Sequence, residues 1–97
     1  MEKSFPSIKF AVMYKLTLTR QAEKFYDQAD TTLVRRLNRC IDQLIKNPYE
    51  HPNIKRLRGP LSGYLRYRIG EWRVVYQVDD VQRTITIMLI VHRSKAY

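Results

Sequence analysis

Apolar positions recur along the chain with two different periods. Leu33, Leu37, Cys40, Ile41 and Leu44 fall at i, i+4, i+7, i+8 and i+11, one face of a helix. Ala22, Phe25, Tyr26 and Ala29 keep helical spacing just before them. Thr19 precedes the first run, and Asp30-Thr31-Thr32 the second. Their side-chain oxygens can accept from the orphan N–H groups of a first turn. Asn47-Pro48 ends the second helix, because proline has no N–H to donate and its ring obstructs the preceding turn. Two helices joined by so tight a break predict an antiparallel helical hairpin.

The other period is two. Tyr14 to Leu18, Tyr64 to Ile69, Trp72 to Val78 and Thr84 to Val91 read as strands. Gly70-Glu71 is a two-residue turn with glycine first, the signature of a type II′ hairpin, and Asp79-Asp80 turns the chain again. Residues 47–63, with Pro48, Pro52, Pro60, Gly59 and Gly63, read as loop. The order β-α-α-β-β-β predicts an α+β fold: a single small domain with a twisted antiparallel meander sheet and a helical hairpin packed on one face. Leu33, Leu37, Ile41 and Leu44 should then pack on Leu65, Tyr67, Val74 and Tyr76 or Ile87. Residues 13–97 make up the expected domain. Residues 1–12, with Pro6 and no clear period, read as an N-terminal extension or as an added edge strand through Ile8, Phe10 and Val12.

Length and charge narrow the functional classes. The chain has 97 residues, enough for one domain with a modest core. Lys and Arg number 18 against 9 Asp and Glu, a net charge of +9. Residues 55–97 alone hold nine basic and three acidic groups. Such an excess favours a polyanionic partner: nucleic acid, a membrane surface or an acidic protein. With one cysteine, Cys40, and two histidines, His51 and His92, neither a disulfide framework nor a zinc site is expected, and no metal or cofactor is called for. No apolar run is long enough to span a bilayer and the start does not read as a signal peptide, so the expectation is a cytoplasmic protein without a membrane partner.

The hairpin turn fixes where the arginines of the second half lie. With Gly70 and Glu71 as loop residues, Ile69 opposes Trp72, Arg68 opposes Arg73, Tyr67 opposes Val74 and Arg66 opposes Val75. Opposed residues of an antiparallel pair project to the same side. Arg66, Arg68 and Arg73 therefore share one face, and Leu65, Tyr67 and Val74 the other. One such arginine is ordinary surface. Three together without an acid point to an anion site, because arginine suits bidentate phosphate recognition. Lys55, Arg56 and Arg58 form a basic knot before the hairpin that can fold over the same face. Arg56 and Arg58, two apart, point together in an extended segment. After the last strand come His92, Arg93 and Tyr97.

These residues carry a resemblance. Leu57-Arg58-Gly59, the run Tyr64 to Tyr76 (YLRYRIGEWRVVY) and the ending Val91 to Tyr97 (VHRSKAY) resemble the RelE/ParE toxin superfamily of bacterial toxin–antitoxin systems, over all but the first twelve residues. The RelE branch implies a small basic endoribonuclease, an mRNA interferase acting without a metal. It would cleave mRNA in the ribosomal A site, inhibit translation and be suppressed by a cognate antitoxin. In that branch Arg66 and Arg68 would hold the substrate backbone and Arg73 would stabilise charge at the scissile phosphate. Arg93 would stabilise the phosphate or protonate the leaving group, and Tyr97 would act as base or orienter.

The ParE branch shares the fold but inhibits DNA gyrase, and generally lacks an arginine-plus-tyrosine ending. A plain nucleic-acid-binding module is a third reading, weakened because Tyr64 and Trp72 form no evident stacking platform. Cleavage needs the 2′-hydroxyl proton removed, charge stabilised and the 5′-oxygen protonated. An arginine cluster would favour the phenolate of Tyr97, and histidine titrates near neutrality, so Tyr97 and His92 are both candidates for moving the proton.

Overall fold

A computed structural model describes residues 13–96. The expected edge strand through Ile8, Phe10 and Val12, and Tyr97, lie outside the described residues. Strand β1 (Lys15–Leu18) leads into helices α1 (Arg20–Gln28) and α2 (Thr31–Lys46). Then come β2 (Ile54–Arg56), β3 (Leu65–Ile69), β4 (Trp72–Asp79) and β5 (Thr84–His92). Short 3₁₀ turns at Gly59–Leu61 and Arg93–Lys95 flank the last three strands.

The caps are those the side chains dictate. Thr19 Oγ1 accepts from Ala22 N–H to start α1, and Asp30 Oδ1 accepts from Leu33 N–H at 2.8 Å to start α2. The same Thr19 hydroxyl donates to Met88 O at 2.6 Å. Where β1 ends, the Gln21 side-chain amide continues its work: it donates to Ile90 O and accepts from Ile90 N–H, both at 3.2 Å.

The sheet runs β1-β5-β4-β3-β2. It departs from a pure antiparallel meander in two ways. β1 lies parallel to β5, with Leu16 beside Ile85 and Leu18 beside Ile87. The helical hairpin supplies the connection that returns the chain for the meander, as parallel neighbours require. Secondly, Ile54–Arg56, expected as loop, is an edge strand antiparallel to β3, with Ile54 opposite Tyr67 and Lys55 opposite Arg66. The 3–4 hairpin has the expected register, Arg68 facing Arg73 and Ile69 facing Trp72. Gly70 has φ +56° while Glu71 stays at negative φ, as a type II′ turn requires. Between β4 and β5 the pairing jumps from Val75–Leu89 to Tyr76–Ile87, so Met88 is the extra residue of a bulge.

The core lies between the helices and one sheet face. Leu37, Cys40 and Leu44 of α2 are buried with Leu65, Tyr67, Val74, Tyr76, Ile85, Ile87 and Ile90, and Leu33 and Ile41 pack at its margin. The two predicted periods thus meet as expected. The hydroxyl of the fully buried Tyr76 donates to Pro48 O at 2.6 Å. Burial pushes the Cys40 thiol up to about 12, which makes it an inert packing group.

Candidate nucleic-acid interface

The register of β2, β3 and β4 sorts the basic side chains. Lys55 pairs with Arg66, so both project from the sheet face away from the helices. Arg73 lies on that face from β4. Together with Arg56, Leu57 and Arg58 these residues line an open cleft of about 620 Å³. Among the described residues no carboxylate lines it.

Two of its arginines are held by backbone carbonyls. Arg66 Nη1 donates to Asn53 O at 2.7 Å, and the same carbonyl accepts from Arg68 N–H at 3.0 Å. Arg73 Nη1 donates to Gly70 O at 2.8 Å and Trp72 O at 3.0 Å, which folds the side chain against the hairpin turn. Each guanidinium has five donors, so most remain for a ligand. Arginines held this way form a positive site whose organisation precedes any ligand.

The structure redistributes some expected members. Arg56 opposes Leu65, and its guanidinium stacks over Tyr49 at 5.2 Å from the ring centre, although it still borders the cleft. Within the knot, Lys55 is the residue the register places beside Arg66, and Arg56 and Arg58 border the same cleft. Arg68 opposes Arg73 in the ladder, but it is exposed and borders a different cleft, with Arg36 and Arg39 of α2. The expected three-arginine cluster is therefore Arg66 and Arg73 with Lys55 and Arg58.

His92 opposes Trp72, so it stands on the face of Trp72 rather than that of Arg73, with the two rings edge to face at 5.3 Å. Its nitrogens are both engaged. Ser94 N–H donates to Nδ1 at 3.2 Å with the Ser94 hydroxyl also 2.9 Å away, and Nε2 lies 2.9 Å from Glu71 Oε1. A backbone N–H can only donate, so Nδ1 accepts and, in the neutral ring, Nε2 carries the proton and donates it to Glu71. Glu71 O in turn accepts from Arg93 N–H at 2.7 Å. The exposed Arg93 is thus fixed to the hairpin turn at its backbone, with its side chain at the surface.

Two contributors escaped the sequence reading. Asn53 orients Arg66 through a main-chain carbonyl, which no residue type announces. Glu71, counted only as a turn residue, ties the turn to the segment after β5. Among the described residues, no three His, Cys, Asp or Glu side chains come together as a metal site, and no helix is long and apolar enough to cross a membrane.

Comparison with known proteins agrees with this architecture. The archaeal RelE of the RelE–RelB complex from Pyrococcus horikoshii superposes with a TM-score of 0.74 at 25% identity, covering 87% of this chain and 99% of that one. The intact E. coli RelBE toxin–antitoxin complex gives 0.70 at 21% identity, covering 81% and 95%. In sequence, Toxin RelE of Mycobacterium tuberculosis is 41% identical over 54 residues, 56% of this chain. The match spans about half the length of that relative, 54%. Residues 16–97 match the family model of the ParE toxin of type II toxin–antitoxin systems. With the family model covering most of the chain and the fold shared with RelE proteins, this chain belongs to the RelE/ParE superfamily of type II toxin–antitoxin toxins.

Proposed function

We propose that this toxin is a ribosome-dependent endoribonuclease that cleaves mRNA in the A site and so stops translation, and that a cognate antitoxin restrains it. The observation that carries this reading is the cleft of Lys55, Arg58, Arg66 and Arg73, lined by no carboxylate among the described residues, two of whose arginines are fixed by backbone carbonyls. Such a site is built for phosphodiesters. Lys55 and Arg66 hold the message backbone, with Arg58 at the rim. In this reading Arg73 stabilises the charge that grows on the phosphorus during attack by the 2′-hydroxyl, and Arg93, in the segment after β5, adds a further positive charge. The P–O5′ bond breaks as the 2′-oxygen bonds to phosphorus, and the proton lost from the 2′-hydroxyl is balanced by one delivered to O5′.

Because both nitrogens of His92 are committed to Glu71 and Ser94, Tyr97 is the better candidate for moving that proton, with His92 positioning the turn. The relatives solved as RelE–RelB and RelBE complexes support an antitoxin partner. Arg68, separated from Arg73, contributes to backbone binding outside the reacting phosphate.

The match to a ParE toxin family model favours one second reading, a gyrase inhibitor that binds without cleaving. Translation of a defined message on programmed ribosomes, with 5′-end mapping, separates the two. Cuts within the A-site codon are expected. An intact message together with lost DNA supercoiling by gyrase would replace the nuclease reading with the second.

A further inference from the structure

An apolar cleft opens beside the basic one. Leu57, Arg58, Pro60 and Leu61 line it, and its volume is about 440 Å³. Leu57 and Arg58 also border the cleft of Lys55, Arg66 and Arg73, so the two are continuous. The loop that forms it is closed by its own backbone. Leu57 N–H donates to Tyr64 O at 3.0 Å, one step beyond the Arg56–Leu65 pair of the β2–β3 ladder. Inside that closure Ser62 N–H donates to Gly59 O and Tyr64 N–H to Leu61 O, both at 3.0 Å. Gly59 takes φ +64°, which other residues rarely hold, although a Cβ there would meet nothing within 4 Å. The glycine therefore serves the turn and leaves the cleft open.

Leu57 and Leu61 are half-buried, and Arg58 and Pro60 exposed. Apolar surface left in water favours whatever covers it. The setting selects the occupant. It must present an apolar surface to Leu57, Pro60 and Leu61 and an anion to the cations next door. A nucleotide carries both, a base and a phosphate, at a spacing set by one ribose. Arg58 stands at the border of the two clefts, and a planar guanidinium can stack on a base.

We propose that the Leu57–Leu61 loop is a base pocket. It holds the base of a single-stranded nucleotide whose phosphate lies in the basic cleft, and so gives the toxin a preference among messages. A single strand is required because pairing turns the bases inward. Among the described residues Arg58 is the one polar side chain that lines the pocket, so the edges of the base go largely unread and contact area decides. A purine, with two rings, buries more apolar surface than a pyrimidine and is favoured. The choice of RNA rests on the endonuclease reading above, but the binding test does not require cleavage.

The test is fluorescence anisotropy with three labelled single strands of equal length and charge: oligoadenylate, oligouridylate and a fully abasic ribose-phosphate strand. Wild type should bind the adenylate about tenfold more tightly than the abasic strand, with the uridylate between, the low end of what one apolar contact confers. Leu61→Ala should lose most of that preference and keep its affinity for the abasic strand, because Leu61 does not line the basic cleft. Pro60→Ser, at an exposed position, should do the same and serves if Leu61→Ala fails to fold by circular dichroism. Arg66→Gln/Arg73→Gln should weaken all three strands alike. The free strands are common to every protein, so a change of ratio between proteins reports the pocket. Equal binding of adenylate and abasic strand by wild type overturns the proposal. So does a wild-type ratio in the folded pocket variant, or an equal loss on all three strands, which would make the loop a support for the basic cleft. If wild type cuts no message yet the pocket variant loses the preference, the endonuclease reading falls and the pocket stands. If wild type cuts and the variant keeps the preference, the pocket alone falls.

Discussion

Arg73 and His92 lie on opposite faces of the same ladder, and substitution should separate them. Arg73→Ala leaves the core untouched, because among the described residues the side chain bonds to Gly70 O and Trp72 O at the turn. Losing one preorganised charge from a reacting phosphate typically reduces the rate by ~10²–10³. We expect that loss for Arg73→Ala, and a comparable one for Arg93→Ala, in single-turnover cleavage on programmed ribosomes with unchanged circular dichroism. Wild-type rates in both would remove the arginines from the site. Tyr97→Phe should cost more activity than His92→Gln, because the imidazole has no free nitrogen to move a proton. The reverse order would return His92 to the chemistry. In the core, Tyr76→Phe leaves Pro48 O without its partner, and a buried polar group left unsatisfied destabilises by about 1–3 kcal/mol. Urea denaturation would measure it.

Elements are held together by polar clasps as well as by the core. Asp80, at the β4–β5 turn, accepts from Tyr49 at 2.6 Å and Tyr14 at 2.7 Å, and so joins the loop after α2 to the start of β1. The Tyr49 hydrogen bond, then that of Tyr14, holds the Asp80 carboxyl below its ordinary range. Desolvation, then the bond to Asp80, pushes Tyr49 up to about 12. The signs follow. Asp80 is lowered, so its contribution is present above the ordinary aspartate pKa and is lost as pH falls through the native one. Tyr49 is raised, so its contribution is present below the ordinary tyrosine pKa and is lost as pH rises through about 12. Asp80→Asn should lower Tm at neutral pH and flatten both limbs of a Tm–pH profile; an unchanged profile would show that the clasp contributes nothing. Thr19→Ala removes both the α1 cap and the bond to Met88 O, and a lost cap alone is worth about 1 kcal/mol.

At this scale the sequence was legible wherever a short-range signal existed. The Gly70-Glu71 turn and a period of two fixed the Arg68–Arg73 register, and Thr19 and Asp30 marked both helix starts. β2 was not legible. It has three residues, two of them charged, lies between Pro52 and Pro60, and exists only through its pairing with β3. The cleft was legible in kind, since an acid-free run of arginines is a local property. Its membership was not, because Arg68 borders a separate cleft with Arg36 and Arg39 of α2.

The whole molecule depends on its last strand more than on any other. β5 lies between β1 and β4 and supplies Ile85, Ile87 and Ile90 to the core. Every other strand precedes it in the chain. Contacts so distant in sequence form only after a large loop closes, and are correspondingly slow to form. A nascent chain lacking β5 therefore has neither a partner for β1 nor a complete core. Its arginine cleft then rests on an incomplete sheet, with β4 left as an open edge. Synthesis thus leaves the sheet incomplete until its final strand has emerged. A version ending at Arg83 should accordingly be protease-sensitive and fail to bind RNA with the salt slope of the intact chain. A protease-resistant, native-like core in that truncated protein would show that the order of synthesis provides no such delay.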